Sequence, residues 1–227
     1  GVRSKSEKES QQNISSYKLT NLDSVPLSGW LYVSNYFRVT EEASPMWHLK
    51  SAVVNILTSR GCNYNCIFCL SSKMHGNIPR FRSVENVEEE ITLINELRRK
   101  QGLSRLESIM LDDSDIFLRD NFSLEKLFLM LKKQGLTYSA FASINNADEN
   151  LIALGKETGL KTLFFGIETH QANRKRISPK KYFDDATARY VLNMCRSKGV
   201  FTCTSFIIGF PWETQEDIFK TTECMDS

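Results

Sequence analysis

The sequence predicts an α/β protein built from parallel strand–helix units, and two observations support this. Short apolar runs that suit buried strands alternate with longer segments whose apolar residues recur at helical spacing. Four of the helical segments also end at a glycine, a residue that commonly closes a helix: Gly102, Gly135, Gly159 and Gly199. Strands and helices that alternate in this way form a parallel sheet with right-handed crossovers. Five strands and five helices are predicted, and their periodicity fits a partial barrel and a doubly wound sheet equally well.

The first half of the predicted sheet contains two strands, each followed by a helix. Residues 52–58 form the first strand, and Ser83 is expected to cap a helix that ends at Gly102. The apolar residues of this helix share one face: Val84, Val87, Ile91, Ile94 and Leu97. Residues 108–111 form the second strand, and Ser123 is expected to cap the next helix.

The second half continues the same alternation. Further strands are predicted at 138–142, 162–167 and 200–208. Asp148 is expected to cap a short helix after the first of them, and residues 185–198 form the helix before the last. Thr214 and Asp217 are three residues apart and resemble a capping box for a final helix.

Composition restricts the class of protein. The chain of 227 residues suffices for one sizeable domain with a core. The net charge of +2, with both signs interspersed and no long basic arm in the sequence, gives no nucleic-acid signal. No run of about 18 apolar residues predicts a membrane span, and the polar start has no apolar signal core. Six cysteines, three of them clustered, favour a reducing cytoplasm.

Residues 1–50 are predicted to precede the folded domain. Residues 1–18 are rich in Ser, Lys, Glu and Gln and are expected to form a flexible lead-in. Pro26 disfavours helix in the residue before it, so residues 21–27 are expected to form an extended connector between domains. The strand–helix units then occupy residues 51–227.

Three cysteines lie within eight residues, in the pattern Cys62-x3-Cys66-x2-Cys69. Thiolates suit zinc, copper(I) and iron–sulfur clusters. Structural zinc takes four ligands, usually in two close pairs, and no second pair follows at zinc-ribbon spacing. Three ligands on a four-iron cluster leave one iron open, so the spacing favours chemistry over a structural role. A disulfide loop and a zinc knuckle are the alternatives that the residues alone leave open.

The cysteine loop resembles the signature of the radical S-adenosylmethionine (radical SAM) superfamily. The spacing, the aromatic Phe68 before the last cysteine, and the position after the first strand all agree. The resemblance implies a partial (β/α) TIM-like barrel in which Cys62, Cys66 and Cys69 bind a 4Fe–4S cluster. The open iron is then expected to bind S-adenosylmethionine (SAM), whose reductive cleavage yields methionine and a 5′-deoxyadenosyl radical. A reductant such as flavodoxin or ferredoxin is the implied electron donor.

Ligands gather at the carboxyl ends of parallel strands, so the residues after each strand are the candidate SAM site. The resemblance implies that Phe68 packs near the adenine and that Asp112 and Asp113 bind the methionine ammonium. Glu168 is expected to meet the ribose or methionine moiety. The segment after the last strand is expected to pack against adenine, with Gly209 letting the ring approach the backbone. The candidate cofactor-binding residues are therefore Phe68, Asp112, Asp113, Ser143, Glu168, Ile208, Gly209 and Pro211.

The sequence does not select a cation for the SAM carboxylate. Three candidates follow the fourth predicted strand: Arg174, Lys175 and Lys180. Three histidines have no ligand-like spacing and are expected to be ordinary packed or surface residues: His48, His75 and His170.

Four further segments resemble the cobalamin-dependent class of radical SAM enzymes, many of them methyltransferases: residues 22–27, 58–61, 80–87 and 210–214. Trp212 stands where that class often has glycine. The chain contains no Asp-x-His-x-x-Gly cobalamin loop, so a cobalamin, if used, is expected from a domain outside it. The alternatives are a cobalamin-free radical SAM enzyme, such as a methylthiotransferase-like RNA modifier or an oxidoreductase, and a metal-stabilised binding module without catalysis. The substrate is not predicted.

The barrel is expected to be incomplete at its C-terminal end. Barrels of the radical SAM type typically have six strand–helix units, whereas five are predicted here. The strand at 200–208 is then expected to keep an unpaired edge, which favours association of the chain in solution.

Overall fold

The computed structural model describes residues 19–33, 36–37, 53–178 and 181–226. The predicted lead-in at 1–18, together with His48 and Lys180, lies outside the described residues. Five parallel strands form the main sheet: β1 (Val53–Ile56), β4 (Ser108–Leu111), β5 (Thr137–Ala142), β6 (Leu160–Glu168) and β7 (Phe201–Phe206). Their order in the sheet is the order of the chain. A two-stranded antiparallel ladder, β2 (Ser59–Arg60) with β3 (Arg80–Phe81), closes the base of the cysteine loop and was not predicted.

Seven α-helices are described: α1 (Ser71–His75), α2 (Val84–Lys100), α3 (Asn121–Lys133), α4 (Glu149–Thr158), α5 (Gln171–Ile177), α6 (Asp185–Ser197) and α7 (Gln215–Asp226). The predicted cap of α2 is confirmed, since Ser83 Oγ accepts the Asn86 N–H at 3.1 Å. Asp148 likewise caps α4, which ends at Gly159 in a left-handed conformation. The prediction of Ser123 as a cap is wrong, because α3 begins earlier and Asp120 accepts the Ser123 N–H at 2.9 Å.

The helices cover one face of the main sheet. Strand residues on that face, such as Ile109, Tyr138 and Phe165, belong to one core with Ile91 of α2 and Val191 of α6. The opposite face buries only the small cluster of Val53 and Met110, against which Phe164 packs. Because a doubly wound sheet is covered by helices on both faces whereas a barrel is covered on one, this packing confirms the partial barrel.

Strand β7 is an edge of the sheet within the described residues. Its residues are exposed or half-buried, and Phe201 is 55 % exposed. The strand is shorter than the predicted 200–208, and its last residue, Phe206, pairs with Glu168, the last residue of β6, after a register irregularity between Gly166 and Glu168. The expected absence of a sixth strand stays a prediction.

The connector before the barrel is less extended than expected. Leu22–Ser24 and Leu27–Tyr32 form short 3₁₀-helices, and only Val25 and Pro26 between them are extended. The connector is tied to α2, because the Asp23 carboxylate accepts the Ser83 N–H at 2.9 Å and Trp30 Nε1 donates to Glu90 at 2.7 Å. In the described part of the chain, no helix is both long and apolar enough to cross a membrane.

Candidate active site

The cysteine loop leaves the sheet at the carboxyl end of β1 and is closed by backbone bonds. Gly61 has a φ of +97°, and a Cβ there would lie 2.7 Å from the Ile78 carbonyl oxygen, so the position requires glycine. The Cys62 N–H donates to Gly76 O at 3.2 Å, and the Ile67 N–H donates to Ile177 O at 3.0 Å. The loop is thus held against both α1 and the end of α5.

Each cysteine sulfur has a polar neighbour. The Ser71 N–H donates to Cys69 Sγ at 3.4 Å, and Cys66 Sγ lies 3.1 Å from Ser178 Oγ. Burial raises the pKa of Cys62, and a hydrogen bond from the Tyr64 backbone N–H opposes that rise. Hydrogen bonds donated to sulfur, as by the Ser71 N–H to Cys69 and the Tyr64 N–H to Cys62, stabilise the thiolate form, which is the form that binds a metal.

Asp113 stabilises the start of the cysteine loop. Its side chain is buried at 2 % exposure. Its carboxylate accepts hydrogen bonds from the Thr58 N–H, the Thr58 hydroxyl and the Ser59 N–H, at 2.7, 2.5 and 2.7 Å. Burial raises the pKa of Asp113, while these bonds and the charge of Arg119 lower it. The Asp113 carboxylate is thereby bound to the segment that leads into Cys62, whereas Asp112 beside it is half-buried.

A second acid links neighbouring strand ends to the loop. Asp115 is 2 % exposed, and Asn146 Nδ2 donates to its carboxylate at 2.8 Å. Asn146 in turn accepts from the Tyr64 hydroxyl at 3.1 Å. Burial raises the pKa of Asp115, whereas Asn146, the buried Ser143 hydroxyl and the charge of Lys181 lower it. Sequence reasoning did not select Asp115, Asn146 or Tyr64.

Glu168 stands at the end of β6 in a strained conformation. It is the only non-glycine residue with positive φ in the described part of the chain, at +70°, and such conformations cluster at functional sites. Burial raises the pKa of its carboxyl and the charge of Lys181 lowers it. Because Glu168 ends β6, its backbone lies at the same edge of the parallel sheet as Asp112 and the cysteine loop.

The turn after β7 is held by Glu213. The Gly209 and Phe210 N–H groups donate to its carboxylate at 2.6 and 2.9 Å, and Gly209 adopts a φ of +101°. The turn therefore forms with Trp212 in its centre, without the glycine expected there. Ile208, Gly209 and Pro211 are all exposed on this segment.

Aromatic rings connect this turn to the cysteine loop. Phe68 meets Phe210 edge-on with centroids 6.3 Å apart, and Phe210 stacks on Trp212 at 5.0 Å. The Arg176 guanidinium lies 4.3 Å from the Trp212 ring centre. Phe68 follows β1 and Phe210 follows β7, and these strands lie at opposite edges of the sheet. The ring contacts therefore bring together the two segments that are expected to contact adenine.

The family model of the radical SAM superfamily matches residues 56–225. The chain belongs to the radical SAM superfamily. Members of this superfamily use a 4Fe–4S cluster and SAM.

Comparisons with individual proteins agree with this. The chain is similar to an uncharacterized methyltransferase (PH0819) from Pyrococcus horikoshii, at 33 % identity over 73 % of this chain and 35 % of the relative. It is similar to a putative methylthiotransferase (MJ0865) from Methanocaldococcus jannaschii, at 28 % identity over 76 % and 39 %. The structure of the radical SAM methyltransferase TsrM from Kitasatospora setae, with cobalamin and a [4Fe-4S] cluster bound, has the same fold, with a TM-score of 0.63 at 19 % identity over 78 % and 35 %. The chain spans little more than a third of the length of these curated relatives.

The donor set of this radical SAM chain fits an iron–sulfur cluster. No three His, Cys, Asp or Glu side chains converge on one ion within the described residues. A four-iron cluster does not require such convergence, because each thiolate binds a different iron. Each cysteine sulfur also has a polar neighbour, and hydrogen bonds at the sulfurs are among the features that set the reduction potential of an iron–sulfur cluster.

Lys181 is a cation near the candidate site that sequence reasoning did not select. It is half-buried, its Nζ lies 5.8 Å from the Tyr64 ring centre, and its charge lowers the pKa values of Cys62, Asp115 and Glu168. Of the candidates chosen from sequence, Arg174 is 3 % exposed and forms an ion pair with Asp185 at 2.6 Å. Lys175 is exposed on α5.

The described histidines are packed as expected. His170 directly precedes α5, is 6 % exposed, and its Nε2 lies 3.0 Å from Asp217 Oδ1. His75 is half-buried at the end of α1, and burial lowers its pKa.

Proposed function

We propose that this chain is the core of a radical SAM methyltransferase that works with cobalamin. The observation that carries the proposal is that the cysteine loop, Asp112 and Glu168 stand at the carboxyl ends of β1, β4 and β6 in one parallel sheet, and the charge of Lys181 acts on Glu168. The similarity to a methyltransferase at 33 % identity supports the reaction class. The fold shared with a cobalamin-bound methyltransferase supports the cofactor.

Three cysteines and four polar or aromatic side chains carry the proposed binding. Cys62, Cys66 and Cys69 hold a 4Fe–4S cluster, which supplies the electron that cleaves SAM into methionine and a 5′-deoxyadenosyl radical. Asp112 and Glu168 accept hydrogen bonds from the SAM ammonium and ribose, since a carboxylate forms charge-assisted hydrogen bonds with an ammonium. Lys181 pairs with the SAM carboxylate.

The adenine is proposed to lie beside Phe68 and the turn after β7, against Ile208, Gly209 and Pro211. A Cβ at Gly209 would meet nothing within 4 Å, so this backbone is open to a flat ring. Asp113 positions the loop rather than touching SAM, because its carboxylate is occupied by Thr58 and Ser59. The buried Ser143 hydroxyl forms no hydrogen bond with the described residues, which leaves it free to contact SAM.

Cobalamin would bind to a part of the enzyme outside these 227 residues, as would much of the substrate. A reducing cytoplasm is the proposed location, because three of the six cysteines are clustered for cluster binding. Flavodoxin or ferredoxin would supply electrons there.

The experiment is an anaerobic SAM-cleavage assay. After reconstitution with iron and sulfide, the chain with dithionite should form 5′-deoxyadenosine from SAM. An enzyme that includes the flanking regions should transfer a methyl group only when cobalamin is present. A reconstituted chain with a full cluster that forms no 5′-deoxyadenosine would contradict the proposal.

A methylthiotransferase is the second candidate, because the chain is 28 % identical to a putative one. The same assay separates the two. Transfer of a methylthio group without any requirement for cobalamin would select this alternative.

A further inference from the structure

A chain of hydrogen bonds joins the cysteine loop to the turns that follow β4 and β5. The Tyr64 hydroxyl donates to Asn146 Oδ1 at 3.1 Å, and Asn146 Nδ2 donates to Asp115 Oδ2 at 2.8 Å. The other oxygen of that carboxylate, Oδ1, accepts the Phe117 N–H at 3.0 Å. We call the three side chains Tyr64, Asn146 and Asp115 the tyrosine anchor.

The direction of each bond in the tyrosine anchor is fixed by chemistry. An ionised carboxylate only accepts hydrogen bonds, so the amide nitrogen of Asn146 must face Asp115. The amide oxygen is then left to accept from the Tyr64 hydroxyl. Tyr64 and Asp115 are 8 and 2 % exposed, so water does not readily replace a lost partner at either end. The anchor is therefore a specific connection between segments that are far apart in sequence.

The inner end of the tyrosine anchor is part of the sheet framework. Asp115 precedes the short 3₁₀-helix Ile116–Leu118 and caps it. Asn146 is the last residue of the short 3₁₀-helix Ile144–Asn146, which follows β5. Both turns are continuous with neighbouring strands of one parallel sheet. The Tyr64 hydroxyl is thus attached to a rigid part of the fold.

The outer end of the tyrosine anchor lies midway between two of the proposed cluster ligands. Tyr64 is two positions after Cys62 and two before Cys66, and its backbone N–H donates to the Cys62 sulfur. Backbone bonds from the Cys62 and Ile67 N–H groups hold the two ends of this segment. The Tyr64 side chain holds its middle, where the N–H that faces the sulfur is located.

Lys181 holds the same tyrosine at its ring. Its Nζ lies 5.8 Å from the Tyr64 ring centre, within the range of about 6 Å over which a cation is attracted to an aromatic face. Asn145, in the turn after β5, donates to Tyr182 O at 3.0 Å. This bond ties the segment that carries Lys181 to the same turn as the anchor. Tyr64 is therefore restrained at both its hydroxyl and its ring.

We infer that Asn146 and Asp115 are positioning residues that raise the reduction potential of the cluster by fixing Tyr64 beside Cys62. The inference rests on the proposed function, because it requires a redox cluster at the three cysteines. A reduced cluster carries one more negative charge than an oxidised one. A hydrogen bond donated to a ligating sulfur therefore favours the reduced form and raises the potential. Without the anchor, the Tyr64 N–H is no longer held against the sulfur.

The test measures the potential of the cluster rather than turnover. The reconstituted chain is poised with redox dyes in the absence of SAM, and the reduced cluster is quantified by electron paramagnetic resonance. Tyr64→Phe keeps the ring and removes the hydroxyl, whereas Asn146→Leu keeps the approximate volume and removes both bonds. Tyr190→Phe and Asn150→Leu are the matched controls, because these residues are exposed on α6 and α4.

At a fixed poise, the ratio of reduced to oxidised cluster should fall about tenfold in Tyr64→Phe and in Asn146→Leu. For a one-electron couple this is a shift of about 59 mV to more negative potential. The double variant should shift no further than either single variant, because both substitutions break the same connection. Iron content should stay at about four per protein, and the two controls should keep the original ratio.

Three results would overturn the inference. Tyr64→Phe and Asn146→Leu could keep the original potential, or both could lose the cluster, which would make the anchor a structural support only. Additive shifts in the double variant would show that the two residues act independently. Failure of the proposed function would be seen separately, because the original chain with a full cluster would then form no 5′-deoxyadenosine with dithionite, whatever the potentials of the variants.

Discussion

The carboxylate of Glu168 lies over the α-carbon of Gly166, two residues earlier on β6. A methyl group added to Gly166 would overlap Oε1 of Glu168. The glycine thus leaves room for a side chain that starts from a left-handed backbone position, with φ of +70°, and turns back along its own strand. This arrangement explains why a glycine and an acid occur together at the end of β6.

We expect Gly166→Ala to displace the Glu168 carboxylate while leaving the fold intact, because the clashing atom is the end of a flexible side chain. SAM affinity should fall about tenfold, the loss expected for about 1.4 kcal/mol of a charge-assisted hydrogen bond. Equilibrium dialysis with labelled SAM on the reconstituted protein measures this. When Glu168 is already replaced by alanine, Gly166→Ala should not lower SAM affinity further. Additive losses from the two substitutions would contradict the proposed dependence of Glu168 on Gly166.

Glu168→Ala should weaken SAM binding by about 1–3 kcal/mol without loss of iron. In the original chain, SAM affinity should fall as the pH drops through the pKa of Glu168. Burial raises that pKa above its ordinary value of 4.5, and the ionised carboxylate is a stronger hydrogen-bond acceptor for the SAM ribose than the protonated acid.

Lys181 lowers the pKa of Glu168, so Lys181→Met should shift the pH midpoint of SAM binding upward as well as weaken binding at every pH. Titration of SAM affinity from pH 4 to pH 8 reads out both effects. Lys175 is an exposed residue on α5, so Lys175→Met is the control. It should change neither the pH midpoint nor the affinity for SAM. An unmoved midpoint in Lys181→Met would remove Lys181 from the site.

The two adjacent aspartates should behave differently. Asp113→Asn removes an acceptor from three buried donors, so it should destabilise the protein by about 2–4 kcal/mol and impair cluster assembly. Asp112→Asn should leave the free energy of unfolding within about 0.5 kcal/mol but weaken SAM binding. Urea unfolding measures the stability of both variants, and equilibrium dialysis measures their SAM affinity. Equal losses of stability would contradict the distinct roles of the two aspartates.

Cys66→Ala should abolish cluster binding. The original chain, reconstituted without oxygen, should be brown and hold about four irons per protein. Cys203→Ala, which removes an exposed thiol on β7, should keep that iron content. Stoichiometric zinc in the anaerobically purified protein, with no iron uptake, would argue against the radical SAM site.

The sequence alone determined the features that depend on neighbouring residues. The α2 cap at Ser83, the α4 boundaries at Asp148 and Gly159, and the capping box of Thr214 with Asp217 all form as predicted. These rest on bonds between residues a few positions apart, which a local pattern contains. The cysteine motif is local in the same way, because its spacing lies within one loop.

Where two local caps compete, sequence reasoning was less successful. Ser123 and Asp120 are both good capping residues three positions apart, and the helix began at the earlier one. Strand β7 stopped at Phe206, opposite Glu168, where its neighbour β6 also ends.

The tertiary structure decided which polar residues form the site. Asp113 meets Thr58 across 55 positions of sequence, and Asn146 meets Tyr64 across 82, so no local pattern distinguishes Asp113 from Asp112 or selects Asn146. Arg174 forms an ion pair with Asp185 and bonds to backbone carbonyls, which is why Lys181 and not Arg174 is the cation that we propose for the SAM carboxylate. Electrostatic partners are set by distances in space between chain segments, and those distances exist only once the sheet has brought its strand ends together.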